Sequence, residues 1–266
     1  MANRLLGQGW KVCILGRNLE KVYTPEILDA YNLSLYDCDY TDLKSVSRAL
    51  RVLLDEHPVI DLCIHSSGII MGSYVETKDG IEHQFQVNFL VQFLISQQVR
   101  LHLSQMGKIC FVGSEEHRKG NLNLADIFYQ KKYQSRAMYQ RTKLCQVLYA
   151  QKLDSTFDYE SGGVVLVVHP GTVNTGFGGK NLSGLKKWFW ELYGTLREGT
   201  SAGEAADTLM QVVDYDPFNT KLYYNELRPV APTDLIYDTK LVDDLYATSL
   251  DMVRQAGVDC VDLGQK

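Results

Sequence analysis

The chain has 266 residues, 45% of them apolar and 22% charged, with a net charge of -5. That length can bury a full core, and the composition is that of an ordinary globular protein. The negative balance, without a long basic run, excludes a nucleic-acid binder, and no apolar stretch reaches the length of a membrane-spanning helix. Met1 to Gly7 is too short and too soon interrupted for a secretory signal.

Cys13, Cys38, Cys63, Cys110, Cys145 and Cys260 stand apart, with no Cys-x-x-Cys among them. Zinc or thioredoxin-type chemistry therefore finds no support, and no metal site is expected. The first four lie in or beside apolar runs, where a thiol behaves as a small hydrophobe, so a reducing compartment is expected. The sequons at Asn32 and Asn181 read as chance matches.

Taken in order, residues 2–8 read as the last turns of a helix closed by Gly7 or Gly9. Lys11 to Leu15 is a short apolar run ended by Gly16-Arg17-Asn18, a strand buried on both faces. Leu33 to Asp39 is the second strand, and a helix capped by Thr41 or Asp42 runs to about Asp55. Val59 to His65 is the third strand, left through Ser66-Ser67-Gly68. A helix over about 80–103 carries Ile81, Phe85, Phe89 and Phe93 as a core stripe. Lys108 to Ser114 is the fourth strand, followed by an irregular polar stretch to Arg136. Tyr139 to Leu153 is a strong helix, and Val164 to Val168 is the most apolar strand, ended by His169-Pro170-Gly171. A Gly-rich, aromatic segment containing Trp188-Phe189-Trp190 precedes a helix at about 201–213, a strand at 221–224 and a helix at about 240–254.

Short, wholly apolar strands alternating with helices predict a single α/β domain over 1–266, a doubly wound parallel sheet covered on both faces. Ligands of such a sheet bind beyond the carboxyl ends of its strands, where Arg17, Asp39, Ser67, Gly68, Ser114, Pro170 and Gly171 all fall.

The chemistry centres on Tyr139 and Lys143. At i and i+4 of a helix they share one face, and a nearby ammonium would pull the phenol pKa down toward working pH. A tyrosine so tuned can pass a proton to or from a carbonyl or alcohol oxygen. With 16 tyrosines in the chain, about one Tyr-x-x-x-Lys is expected by chance, and Tyr40 and Lys44 form a second. Tyr40 falls just outside a helix start, whereas Tyr139 shares the polar rim with Ser114.

Ser114, the Tyr139-x-x-x-Lys143 helix, the turn Pro170-Gly171-Thr172-Val173-Asn174-Thr175 and Asn88 occur in the order found in short-chain dehydrogenases/reductases, which the chain resembles over nearly its full length. Asp79 to Asn88, and Tyr223-Tyr224-Asn225-Glu226 before a Leu-rich helix, are similar to the retinol-dehydrogenase-like branch. The resemblance implies a Rossmann-type fold and an NAD(P)-dependent oxidoreductase that interconverts a hydrophobic alcohol and its aldehyde or ketone. It implies that Tyr139 is the general acid/base, Lys143 lowers its pKa and binds the nicotinamide ribose, and Ser114 steadies the substrate oxygen. Asn88 would hold a water leading from Lys143 to solvent. Pro170, Gly171, Val173 and Thr175 would lie along the nicotinamide, Ser67 and Gly68 beside the adenine ribose, and Asp39 at the adenine amino group. Segment 176–200 would cover the substrate.

Arg17 stands where an acid would pair with a ribose 2′-hydroxyl; an Arg suits a 2′-phosphate, so NADP(H) is favoured and NAD(H) remains open. Read without the resemblance, Arg17 is a surface residue, Ser114 a turn cap, Asn88 a satisfied core amide and Asp39 a helix cap. Trp188-Phe189-Trp190 could be packing. A cytoplasmic or endoplasmic-reticulum-surface setting is expected, with peripheral membrane contact and a homodimer both open.

Three departures stand out. The family's first strand and Thr-Gly-x-x-x-Gly-x-Gly turn should precede Ala2, so a truncated sheet with exposed edges is expected. His65-Ser66-Ser67-Gly68 replaces Asn-Asn-Ala-Gly, and Val91 stands where the branch has Gly. A catalytically silent relative, acting as a binding or dimerisation partner, is therefore the rival expectation.

Overall fold

In a computed structural model, the description covers residues 1–19, 32–157, 163–171, 200–215 and 221–263. Helix α1 (Ala2–Gly7) leads into β1 (Val12–Gly16), which pairs in parallel with β2 (Leu33–Asp37). Helix α2 (Leu43–Glu56) begins where the Asp42 carboxylate accepts from Ser45 N at 3.0 Å, so of the two caps expected, Thr41 or Asp42, the acid is the one used. Strand β3 is Ile60–His65.

The long helix expected over 80–103 is shorter and composite. It runs through His83–Phe85, one π turn at Gln86–Leu90, and Val91–Val99, together α3. The chain then turns at Leu103 into β4 (Leu103–Val112), which thus starts five residues earlier than its apolar run suggests. Gly107 permits this: a Cβ there would lie 3.1 Å from the Ile60 carbonyl oxygen of the neighbouring strand.

Helix α4 (Ser135–Asp154), strand β5 (Val164–His169), helix α5 (Ala202–Val213), the short β6 (Tyr223–Asn225) and β7 (Arg228–Pro229), and helix α6 (Thr239–Gln255) complete the described chain. The predicted strand at 221–224 lies one to two residues further on, and the sheet gains an antiparallel edge at β7. α5 opens with a capping box between Ser201 and Glu204.

The described strands form two sheets, β1-β2 and β3-β4-β5-β6-β7. Pairing is parallel except at β6-β7, and among the described residues no strand joins β1 to β3. Helices cover both faces. α2, α3, α4 and α6 close one large core around Phe85, Phe89, Phe93, Phe111 and Tyr149. On the other face α1 and α5 pack on Val12, Ile14, Leu62 and Ile64, with Leu166 and Val168 further along.

Candidate active site

Gly113 and Ser114 leave the tip of β4, and Ser114 opens a 3₁₀ turn over Glu115–Lys119. Its hydroxyl oxygen accepts from Glu116 N at 3.3 Å, so the residue does cap a turn. It also hydrogen-bonds the Tyr139 hydroxyl. Cap and active-site neighbour are one residue here, and the phenol points at the serine.

What holds Tyr139 there is Glu116, which the sequence reading passed over. Its carboxylate accepts from Arg136 Nε at 3.1 Å and Gln140 Nε2 at 2.6 Å, tying the turn to the first two turns of α4. These partners hold the Glu116 carboxyl down to about 2. α4 starts at Ser135, so Tyr139 sits in its second turn rather than at its first residue. The signal lay in the spacing of Glu116, Arg136 and Gln140, which only a folded turn brings together. Gly120 closes the same joint: a Cβ there would lie 2.7 Å from Gln140 O and 2.8 Å from Leu144 Cβ.

Lys143 lies one helical turn beyond Tyr139 and is buried. Its ammonium donates to the Val112 carbonyl oxygen at 2.7 Å and to Gln146 Oε1 at 3.3 Å, and Nζ is 5.9 Å from the Tyr139 ring centre. Burial lowers the Lys143 pKa to about 8. The expected depression of the Tyr139 pKa is not found. Burial pushes it up to about 12, against a downward pull from the Ser114 hydrogen bond and with a further upward push from the Glu116 charge. The reason is orientation: the amine is turned to the strand end, not to the phenol oxygen.

Asn88 is fully buried within the π turn of α3. Its Oδ1 accepts from Ile69 N at 2.7 Å, and its Nδ2 donates to Ile69 O at 2.9 Å and to Thr142 Oγ1 at 3.3 Å. Both amide protons are committed, and the side chain clamps the loop leaving β3. A polar chain reaches Lys143. Gln146 Nε2 donates to Gln92 Oε1 at 2.5 Å, and Gln92 Nε2 donates to Ser67 O at 3.0 Å. The loop with Ser67 and Gly68 is thereby linked to the helix that carries Tyr139 and Lys143. Beneath it, His65 stacks on Phe111 and bonds Ser96 Oγ at 2.8 Å; burial lowers its pKa to about 3, which keeps the ring neutral. Val91 is wholly buried in the same helix.

At the far end of the rim, Arg17 Nη1 lies 3.5 Å from Asp39 Oδ1. Asp39 also accepts from Thr41 N at 2.9 Å and Thr41 Oγ1 at 2.8 Å, and these bonds with the Arg17 and Lys78 charges hold its carboxyl below the usual range despite the burial that opposes them. Lys78 Nζ is 3.8 Å from Asp39 and 3.5 Å from Asp42, a second cation that the motif reading overlooked. Asp39 thus orders the loop before α2, whose cap is Asp42. The decoy is resolved: Tyr40 precedes α2, and its hydroxyl donates to Leu15 O at 3.2 Å, well away from Lys44 chemistry.

Pro170 and Gly171 follow β5, both buried. Gly171 has φ +89°, and a Cβ there would lie 3.0 Å from Thr200 Oγ1, so glycine is required on two counts. Val173, Thr175 and Trp188-Phe189-Trp190 lie outside the described residues. Among the described residues no helix is long and apolar enough to cross a membrane. The six thiols are free.

The chain is similar to human retinol dehydrogenase 14, 31% identical over 156 residues that cover 58% of this chain and 46% of that one. Human retinol dehydrogenase 13 is 26% identical over 269 residues, 95% of this chain and 80% of that one. Against retinol dehydrogenase 14 the chain spans about half the relative's length, 46% in human and 44% in mouse. Among solved structures, a short-chain dehydrogenase from Burkholderia cenocepacia in complex with NADP superposes with a TM-score of 0.63 at 18% identity, over 85% of this chain and 90% of that one. A short-chain dehydrogenase from Streptomyces avermitilis gives 0.61 at 17% identity, over 96% and 91%. These likenesses establish the fold. The family profile described as short chain dehydrogenase matches residues 1–184 of the 266, and the chain belongs to that family.

Proposed function

We propose that the chain is an NAD(P)-dependent oxidoreductase that interconverts a hydrophobic alcohol and its aldehyde or ketone, a retinol- or lipid-alcohol-like substrate. The observation that carries this reading is the hydrogen bond between Ser114 and Tyr139 at the tip of a parallel strand, with the Lys143 amine one turn on. A nicotinamide cofactor fits the polar groups at both ends of the rim, and when bound it supplies or accepts the hydride. Arg17 and Lys78 flank Asp39 with two positive charges, which favours a 2′-phosphate and hence NADP(H). In reduction Tyr139 gives its proton to the carbonyl oxygen, and in oxidation it takes the proton back. Ser114 donates to the same oxygen and steadies the charge that develops there. Lys143 holds the ribose hydroxyls. Substrate cover falls to the aromatic segment 176–200, and a lipid-like substrate makes peripheral membrane contact, and pairing into a homodimer, part of the same proposal.

Tyr139→Phe tests it: turnover of NADPH with a hydrophobic aldehyde should fall about a thousandfold, with NADPH affinity nearly unchanged. Retained turnover refutes the assignment. A second reading, a catalytically silent relative that serves as a binding or dimerisation partner, is favoured by the break between β1 and β3 among the described residues, which separates Arg17 and Asp39 from Ser114 and Tyr139. Saturable NADPH binding below about 1 mM, read by fluorescence, supports the enzyme; its absence supports the silent relative.

A further inference from the structure

Tyr139 is held by Glu116, and its partner Ser114 has a holder of its own one residue further along the turn. His117 is 1% exposed, and none of the chemistry above uses it. The Ser114 carbonyl oxygen accepts twice from this residue, from His117 N at 3.0 Å and from the ring Nδ1 at 2.7 Å. A carbonyl can only accept, so Nδ1 carries the proton and Nε2 the lone pair. Nε2 is buried with no hydrogen-bond partner among the described residues. A second proton on the ring would be a buried donor facing no acceptor, and burial lowers the His117 pKa against the upward pull of the Ser114 carbonyl. The ring is thus neutral and in one tautomer, with its single N–H given to the main chain of the serine.

Packing keeps the ring on that contact. It lies against Tyr223, with ring centres 4.7 Å apart, and Tyr223 is wholly buried. The Tyr223 hydroxyl donates to Glu115 Oε1 at 2.9 Å, and Glu115 Oε2 accepts from Arg118 Nε at 2.8 Å. Arg118 in turn donates to Pro232 O at 2.6 Å and to Ala231 O at 2.7 Å. Strand β6 and the segment after β7 therefore grip the turn on both sides of His117. On the strand side of Ser114, Gly113 N donates to Val168 O at 2.8 Å, and a Cβ on Gly113 would lie 2.6 Å from Val167 Cγ1 and 3.5 Å from Tyr223 Cε2. The serine main chain is fixed before and after, which limits the arc its hydroxyl can sweep.

We propose that His117 is the positioning residue of Ser114: its Nδ1–H fixes the serine carbonyl so that the hydroxyl meets the Tyr139 phenol and, with it, the substrate oxygen. The inference rests on the proton-transfer roles proposed for Ser114 and Tyr139, and gives His117 no contact with substrate or cofactor. Neighbouring residues divide the work, Glu116 setting the phenol and His117 the serine. A histidine kept only for packing could yield to an apolar ring of similar size. A positioning histidine yields only to a side chain with a donor at the place of Nδ1.

Two substitutions separate these roles. In His117→Asn the amide nitrogen takes the place of Nδ1 while ring volume against Tyr223 is lost; in His117→Phe the volume is kept and the donor is lost. Turnover of NADPH with a hydrophobic aldehyde is read below both melting transitions. The Asn variant should stay within about threefold of wild type, whereas the Phe variant should lose about a hundredfold in kcat with KM for NADPH unchanged. Near-wild-type turnover in the Phe variant, or equal losses in both, overturns the proposal. Two further readouts do not depend on turnover. Histidine ¹⁵N shifts at pH 7 should show His117 protonated at Nδ1 and bare at Nε2; the opposite tautomer overturns the proposal. Exchange of the Glu116 amide, which donates to Ser114 Oγ, should be about tenfold faster in the Phe variant than in wild type and the Asn variant, and equal rates in all three also overturn it. If wild type turns nothing over, the oxidoreductase reading fails, and these two readouts still decide whether His117 places Ser114.

Discussion

The two ends of the cleft rim rest on different foundations. Ser114, Tyr139 and Lys143 stand on a five-stranded sheet and on a 20-residue helix that is buried along most of its length. Arg17 and Asp39 ride on two strands, and Arg17 keeps 58% of its side chain exposed. A two-stranded ribbon is marginal by itself, so β1-β2 depends on the helices packed over it. At the first end, geometry is dictated by close packing, and Ser114, Tyr139 and Lys143 each have a hydrogen-bond partner. At the second, it is set by ion pairs that water screens and that add little stability. In the proposed function, proton handling thus falls to the rigid half of the site and cofactor selection to the adaptable half.

The sharpest way to test the rigid half is through the amine it buries. Lys143 has a folded pKa of about 8 against 10.5 for a free side chain. Between those values the unfolded chain binds more protons than the folded one, so stability rises with pH across that window. The difference in unfolding free energy between wild type and Lys143→Met should shift by on the order of 3 kcal/mol from pH 7 to pH 10.5, the wild type gaining. Urea titrations at several pH values read this directly. A constant difference would mean that the amine is solvated and the packing argument wrong.

A smaller effect is expected at the joint between the Ser114 turn and α4. Gly120→Ala places a methyl against Gln140 O and the Leu144 Cβ, and should cost about 2 kcal/mol. Thermal unfolding measures the cost. Because the same joint aims Tyr139 at Ser114, turnover should fall beyond what lost folded fraction explains. An unchanged melting point would show that the turn yields.

Smallest of all is the expected change at the adaptable end. Arg17→Ala should leave stability within about 1 kcal/mol, since the ion pair it loses is exposed. It should weaken NADPH about tenfold and NADH hardly at all, which paired titrations would resolve. Equal losses for both cofactors would detach Arg17 from the 2′-phosphate and blur the contrast between the two ends.

Much of this was legible in the residues because the signals are local. Short apolar runs became strands, the Asp42 cap started α2, and the position of Tyr40 before that cap removed the decoy. Asp79 to Asn88 was legible as a motif but not as a mechanism. In the fold, Asp79 Oδ2 accepts from Leu43 N at 2.8 Å and from Gln86 Nε2 at 2.7 Å, latching the start of α2 to α3. The π turn at Gln86–Leu90, the Glu116 clamp and the chain from Lys143 through Gln146 and Gln92 to Ser67 had no local signature.

By itself the order of residues settled the alternation of strand and helix, the side of the sheet on which polar groups gather, and the pairing of a phenol with an amine one turn apart. Those follow from periodicity and from the covalent spacing of neighbours. The direction of the Lys143 amine and the upward rather than downward displacement of the Tyr139 pKa were decided only when distant segments packed. Burial and hydrogen-bond partners are properties of the assembled core: an ammonium goes to the nearest carbonyl that the fold supplies, and a phenol shut away from water holds on to its proton.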